Sequence, residues 1–491
     1  MSSERPWYRR RVIYVAGALL VLLVCAAAVF ALTRPGDVFN KDVEFRPEPE
    51  QTSVPTPGPA KKNKKNKHKK VDPLAGFRWA DYGYSPDRRR YLPTSPSVAP
   101  PFRWRWSKGM GVLLEFPPIV VGQRLFLVRN DGRVVSLDKN NGRTVWRRDM
   151  GYLAASSPGY GDKKIVVTIL ERSKSGAGRV AALWAKNGKV AWSKDLPSRT
   201  ESSPIVIDGR VYFGSEDGTV YAMSMNNGSI KWRFHASGAV KGGLAVANGR
   251  LFFGTYGGQV YAISRFSGRQ VWHTGTSGAN FGLSAGNFYA TPAVAFGRVY
   301  IGNTDGNMYS FSAASGKLAW RRGTGSYGVR RCSPPSGSAV GQVPGGQPTV
   351  YFGSYDGTFY ALDARSGATR WTYRDGGKIS GGATIIGGIV YYSNWGKRDT
   401  TGLGARSGHR IWHVSRGAFN PIVSDGQNLY LVGFSSVARL EPLSVAEERK
   451  RAKREAAQKK AAKKRQAAKK KQQAAKKKKA AKKKKKKKKK G

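Results

Sequence analysis

An all-β chain closed into an eight-bladed β-propeller is the fold that the sequence predicts, and three observations carry it. A Gly-x-x-x-Trp pattern recurs seven times, the copies sit 40 to 51 residues apart, and a lone strand ahead of the first copy can supply the strand that the last copy lacks. The pattern ends at Trp146, Trp192, Trp232, Trp272, Trp320, Trp371 and Trp412, with intervals of 46, 40, 40, 48, 51 and 41 residues. That length suits four short strands with turns and is too short for a strand–helix–strand unit with comparable loops.

The elements of one unit follow in order from Pro204 to Trp232. "PIVID" and "VYFGS" are apolar strands joined by a tight turn, "EDG" turns into "TVYAM", and "NNG" turns into "SIKW". Asp131-Gly132, Asp217-Gly218, Asp305-Gly306 and Asp356-Gly357 fall at the same place in their units. A Gly tolerates positive φ there and an Asp bonds nearby backbone, so these acidic pairs are hairpins before they are ligand loops. After Trp412, "AFNPIVSDGQNLYLVGFSSVARLEPL" supplies three strands and no closing Trp, whereas "PFRWRWS" (Pro101 to Ser107) is a strand with no partners of its own. Pairing the two closes the ring and removes its exposed edges. A seven-bladed ring is the alternative, because loop insertions blur the count.

The unit "VYFGSYDGTFYALDARSGATRW" (Val350 to Trp371) resembles the repeat of the pyrroloquinoline quinone (PQQ)-type propellers. Its Ala361, Asp363, Gly367 and Trp371 match the docking motif of that family, in which a Trp packs between blades against a Gly peptide. Asp138 keeps the Asp of the motif, and Ser224, Ser264 and Ser312 replace it. "FRWADYGYSPDRRRYLP" (Phe77 to Pro93) resembles the strip that precedes the first blade in the family. The resemblance covers about residues 77–441, and in unit length and blade count the chain is similar to the noncatalytic BamB-like members.

The family also contains quinone- and calcium-dependent dehydrogenases, which the resemblance would endow with a calcium held by Glu, Asn and Asp, an acidic base and usually two adjacent cysteines. Only Cys25 and Cys332 are present, so that last feature is absent and no disulfide is expected. Most Asp residues recur at repeat positions: in hairpins, in the docking slot (Asp138, Asp363), or just after the Trp (Asp149, Asp195, Asp375). Glu115, Glu171, Glu201 and Asp399 escape that pattern, and Glu115 and Glu201 precede first strands near the expected channel, where a weak cation site is the minor reading. The five His show no metal-ligand spacing, and no Walker A loop, Gly-x-Ser-x-Gly or His-Glu-x-x-His element occurs. No catalytic, cofactor or metal residues are therefore assigned, PQQ and calcium are not favoured, and the chain is read as a non-enzyme.

Binding is expected where units depart from the repeat length. Thr274 to Thr291, Arg321 to Pro348 and Ser393 to Gly404 are such departures, and they carry Asn280, Phe281, Tyr327, Arg330, Arg331, Trp395, Lys397 and Arg398. Aromatics mixed with cations suit a peptide, glycan or anionic ligand.

The termini set topology. Ile13 to Leu32 is an uncharged run of twenty residues, the length a helix needs to span about 30 Å of hydrocarbon. Arg5, Arg9, Arg10 and Arg11 precede it, which puts the N-terminus in the cytoplasm and the propeller outside. The formal charge is +56, and residues 445–491 hold 26 Lys/Arg against three Glu, a net of +23. The resulting organisation is a basic N-terminus (1–12), a transmembrane signal-anchor helix (13–32), a disordered Pro/Lys-rich linker (33–76), the propeller (77–443) and a disordered, low-complexity Lys/Ala tail (444–491). The expected function is a membrane-anchored, extracytoplasmic, noncatalytic scaffold for protein interaction or assembly. Its tail would engage anionic lipid or wall polymers, or nucleic acid if it were cytoplasmic. A PQQ/calcium dehydrogenase and a nucleic-acid binder are the alternatives.

Overall fold

The computed structural model describes residues 37–48, 72–93, 98–174, 176–276, 286–325, 337–419 and 422–444, with scattered positions between 447 and 466. The apolar run 13–32 lies outside the described residues, as do both cysteines and almost all of the tail. Among the described residues no helix is long and apolar enough to cross a membrane.

Eight antiparallel sheets form eight blades, each with its strands in order from hub to rim. Blade 1 comprises Ile119–Val121, Arg124–Val128, Arg133–Asp138 and Thr144–Asp149. Blades 2 to 7 begin at Gly159–Gly161, Ile205–Ile207, Ala245–Ala247, Ala293–Ala295, Ala339–Gly341 and Thr384–Ile386. Blade 8 takes three strands from Val423 to Pro442 and its outermost strand, Phe102–Gly109, from the start of the ring. These two chain ends pair from Ser436↔Gly109 to Pro442↔Phe102, so the orphan strand closes the last blade and the ring has eight blades rather than seven.

The repeat residues explain why each blade forms. In the hairpins between second and third strands, Asp217 Oδ1 accepts a hydrogen bond from Thr219 N at 2.9 Å and Asp356 Oδ1 from Thr358 N at 2.7 Å, and Gly218 and Gly357 have φ of +85° and +80°. Inter-blade packing depends on the next turn. A Cβ added at Gly228 (φ +72°) would lie 2.6 Å from Trp192 Cε3, so only a glycine lets the indole of one blade lie flat on the peptide of the next. That indole donates Nε1–H to the Met225 carbonyl at 3.0 Å. The same arrangement recurs for Trp146, Trp232, Trp272, Trp320 and Trp371. Trp106 of the closing strand takes this place on Gly142, whereas Trp412 finds no such turn in blade 8 and packs edge-on against Phe102, centroids 5.5 Å apart. Where Ser replaces the docking-motif Asp, a hydroxyl still accepts a backbone hydrogen bond: Asn226 N to Ser224 at 3.3 Å and Ser315 N to Ser312 at 3.2 Å.

The strip from Arg78 to Leu92 lies across the hub and bonds the inner edges of seven blades in turn. Arg78–Trp79 pairs with Val120 and Val121 of blade 1, and Tyr160 N of blade 2 donates to the Ala80 carbonyl. Val206 N of blade 3 donates to Asp81 Oδ1. The amides of Val246, Val294 and Val340 then donate to the Pro86, Asp87 and Arg89 carbonyls, and Tyr91–Leu92 runs parallel to blade 7 at Ile385 and Ile386. Inner strands of a propeller leave an unpaired edge, and the strip satisfies it.

Residues 37–48, which the sequence reading assigns to linker, are docked. Val38–Phe39 adds a strand to the rim of blade 5, Val43 is buried, Phe45 stacks on Phe296 at 5.4 Å, and Glu48 reaches Arg89 at the hub.

Candidate functional site

Strand direction sorts the connections onto two faces. The hairpins between second and third strands and the links from one blade to the next emerge on one face, which includes residues 286–291, 337–338 and 395–398 of the long segments, whereas 342–348 join the first two strands of blade 6 on the other face. On the first face the hub opens into a cavity of about 370 Å³ whose floor includes Tyr82 and Arg90 of the strip. Its wall carries Phe116, Tyr256, Tyr289, Tyr355 and Phe419, with Glu115, Glu201, Lys241 and Asn303 between them. Glu115 and Glu201 reach the cavity because each sits on the link into a first strand, as their spacing predicts.

The carboxylates are committed to partners. Lys241 Nζ lies 2.7 Å from Glu201 and 2.8 Å from Glu216. Burial disfavours its charge, but the hydrogen bonds it donates to those two carboxylates hold the Lys241 ammonium above its usual range. Glu115 accepts from Asn130 Nδ2 at 3.0 Å, Glu171 pairs with Arg199 at 3.0 Å, and Asp399 with His413 at 3.0 Å. Among the described residues no three of His, Cys, Asp and Glu come together as metal ligands. Tyr289 is strongly disfavoured from ionising by its burial and by the nearby charge of Glu201, so the wall presents neutral phenols.

Three consecutive arginines of the strip meet different fates. Arg88, 1% exposed, donates to the carbonyls of Tyr82, Ser203, Pro204 and Leu244, and burial lowers its pKa to about 10. Arg89 points to the opposite face and is paired with Glu48 and Asp87. Arg90 borders the cavity, stays 1% exposed and stacks over Tyr82.

Of the residues proposed from sequence, Asn280, Phe281, Tyr327, Arg330 and Arg331 lie outside the described residues. Trp395 stands at the rim, stacked on Phe419 with centroids 5.7 Å apart. Lys397 is held by Asp375 at 2.9 Å, and Arg398 lies over Phe434, 4.8 Å from the ring centroid. Residues 393–404 form a hairpin in which Asn394 pairs with Asp399 and Asn394 Oδ1 accepts from Lys397 N at 3.2 Å. Sequence reasoning missed Tyr82, Arg90, Lys241 and Asn303; the charged run Asp87 to Arg90 within the strip was the available signal.

A family model described as the outer membrane protein assembly factor BamB matches residues 103–160, 130–241, 234–343 and 330–441. No curated protein sequence matches the chain. Among solved structures, BamB from Moraxella catarrhalis is similar over 69% of this chain and 99% of its own, at 17% identity and a TM-score of 0.57. Quinohemoprotein alcohol dehydrogenases of Pseudomonas putida HK5 (14% identity, 74% of this chain and 80% of its own, TM-score 0.61) and Comamonas testosteroni (12%, 75% and 81%, 0.60) share the fold as well. With its repeats matched from residue 103 to residue 441, the chain belongs to the BamB-like family of PQQ-repeat β-propellers.

Proposed function

We propose that the chain is a noncatalytic scaffold for protein interaction or assembly, anchored by residues 13–32 and displayed outside the cytoplasm, with the Lys-rich tail engaging anionic lipid or wall polymers. The observation that carries this reading is the match to the BamB model along the whole ring, combined with a hub whose carboxylates are already held by Lys241 and Asn130.

A quinone–calcium centre would need Glu, Asn and Asp oxygens converging on one point, whereas at the hub Glu201 and Glu216 are held by Lys241 and Glu115 by Asn130. No catalytic step is derived from such a group. The fold shared with quinohemoprotein dehydrogenases keeps a dehydrogenase as the second reading.

Crosslinking in intact cells followed by mass spectrometry, comparing the full chain with one lacking 445–491, tests the scaffold directly. Specific protein partners of the ring that persist without the tail support it. Crosslinks confined to the tail would refute it, as would dye-linked alcohol oxidation on adding PQQ and calcium. Protease treatment of intact cells that spares the ring would refute the topology.

A further inference from the structure

The two faces of the ring differ in how their cations are held. On the face of the cavity mouth, Arg129 is paired with Asp131, Arg133 with Asp149, Arg179 with Asp195 and Arg199 with Glu171. The opposite face carries the turns between third and fourth strands, residues 139–143, 185–189, 225–229, 265–269, 313–317, 364–368 and 405–409. These turns contain nine Lys and Arg and no Asp or Glu. Lys139 is held by Asp425 and Arg265 by Asp208. The other seven, three lysines (Lys186, Lys189, Lys317) and four arginines (Arg143, Arg269, Arg365, Arg406), are exposed and have no ion-pair partner among the described residues. The turns between first and second strands share this face, and their exposed carboxylates are Asp162 and the Asp208 already bound to Arg265.

Turns at one position of a repeat lie at one level around the ring, so these cations define a plane rather than a groove. A thread-like polyanion would meet a few of them along its path, whereas a flat anionic surface meets all of them at once. Aromatic rings stand among them: Phe266, 57% exposed, shares a turn with Arg269, and Trp184, 41% exposed, precedes the turn of Lys186. Rings beside cations suit the headgroup level of a bilayer. The lysine-rich segments outside the ring leave from the same side. The third strand of blade 8 runs away from the mouth and ends at Pro442, after which Leu443 N bonds the Pro101 carbonyl, so the tail departs from this face. The run Lys61 to Lys70 is bracketed by Glu48, at Arg89 and Phe296 N, and by Pro73, whose carbonyl accepts from Gln123 N in the first turn of blade 1. We propose that this face docks on the headgroups of an anionic lipid bilayer, with the seven turn cations, Phe266 and Trp184 at headgroup depth and the cavity mouth turned away. The docking rests on the reading that residues 13–32 anchor the chain, and the connecting residues permit it. Asp37 accepts from Gly323 N at 3.0 Å, beyond the far end of the rise from Lys317 to Arg322 in blade 5. Those five residues climb about 17 Å, within the roughly 18 Å that Leu32 to Asp37 can span.

Full-length protein is reconstituted in vesicles of phosphatidylcholine alone or of an equimolar mixture with phosphatidylglycerol, and lysine acetylation is followed residue by residue by mass spectrometry. In the mixture, Lys186, Lys189 and Lys317 should react at least about fivefold more slowly than in phosphatidylcholine, the factor equivalent to about 1 kcal/mol of attraction per cation. Lys174 and Lys194, exposed toward the mouth, should react equally in both. A variant carrying Arg143→Gln, Arg269→Gln, Arg365→Gln and Arg406→Gln keeps the three reporter lysines, the anchor and the tail. It should lose the slowing and keep the wild-type Tm, because all four arginines are exposed. Slowing that persists in the variant, that extends to Lys174 and Lys194, or that soluble polyphosphate reproduces on phosphatidylcholine vesicles would each overturn the docking, as would a variant that unfolds markedly earlier. Protein that survives an alkaline wash on both vesicles without any lipid-dependent slowing refutes the docking alone. Protein that washes off both refutes the anchor and the docking with it.

Discussion

Removing Trp232 and Trp320 in separate variants measures what the wedge between blades contributes. Emptying a buried aromatic site costs about 3–5 kcal/mol, and burial decides where in that range each falls. Trp232 is half-buried, and the Arg265 carbonyl that its Nε1–H reaches at 3.2 Å also accepts from Tyr212 at 3.0 Å. Trp232→Ala therefore strands no acceptor and should cost about 3 kcal/mol, the low end. Trp320 has 0% of its surface exposed, because Phe39 pairs with it at the rim and Val43 packs in the same cluster. The Ala364 carbonyl it binds at 3.0 Å likewise keeps a second donor, Tyr300, so the two substitutions differ in burial and hardly in hydrogen bonding. Trp320→Ala should cost about 5 kcal/mol. Denaturant unfolding of the full chain, followed by far-UV circular dichroism, gives both losses provided the slopes match. Equal losses, or a larger one for Trp232→Ala, would refute the argument that burial at the wedge sets its strength.

Gly228→Ala places a methyl 2.6 Å from Trp192 Cε3 at φ +72° and should lose at least about 1–2 kcal/mol from the backbone conformation alone; a neutral result in the same denaturant assay would remove the docking role of this glycine. Burial raises the Asp81 carboxyl from 3.8 to about 6, so the folded state keeps its proton to higher pH than the unfolded chain and stability falls as pH rises from about 4 to about 6. Asp81→Asn should be the more stable protein at pH 8, by up to roughly 3 kcal/mol for a shift of about two pH units, with the gain gone at pH 4; a pH-independent difference would contradict this. Across the ring closure, Lys139 Nζ lies 2.8 Å from buried Asp425. Burial pushes that carboxyl up, but Lys139 and the surrounding donors hold it below its ordinary value. The pair stabilises the fold above the ordinary carboxylate range and is lost as pH falls through the depressed value. Lys139→Met should cost about 3–5 kcal/mol at neutral pH, and the gap to wild type should narrow in acid.

The ring was legible because its determinants are local and repeated. Asp-Gly hairpins, two-residue strand alternation and the Gly-x-x-x-Trp spacing each fix geometry within a few residues, and repetition turned weak signals into one fold. Closure by Phe102–Gly109 was legible for a related reason, since a three-stranded end and an orphan strand can only satisfy one another. Trp106 and Trp412 were harder, because the docking turn that receives an indole lies in the next blade, a long-range fact absent from the local pattern. The hub was barely legible. Arg88, Arg89 and Arg90 are identical in composition, and their three environments depend on which carbonyls separate blades present and on the carboxylates of Glu48 in the docked segment and Asp87 in the strip. Of the loop residues singled out by length, Lys397 is spent on Asp375 rather than left for a ligand.

The docked segment 37–48 changes what an anchor at residues 13–32 would do. A loose spacer over 33–76 would let the ring move freely above a membrane, and replacing residues 37–48 with Gly/Ser would then leave stability untouched. The contacts argue otherwise. Arg298, 1% exposed, donates to the carbonyls of Val43 and Glu44, Val43 is buried and Phe45 stacks on Phe296. Losing the burial of Val43 and part of Phe45 should cost about 3 kcal/mol, before the loss of acceptors for Arg298. Hydrogen exchange should accelerate first in Leu318–Gly323, the strand that Val38–Phe39 covers; unchanged protection there would refute the docking. Asp37 follows Leu32 by five residues, a reach of at most roughly 18 Å. An anchor ending at Leu32 would therefore hold the rim of blade 5 close to the bilayer. The chain then crosses the face opposite the cavity to bring Glu48 to Arg89, which leaves the mouth with Trp395 and Phe419 on the other side of the ring.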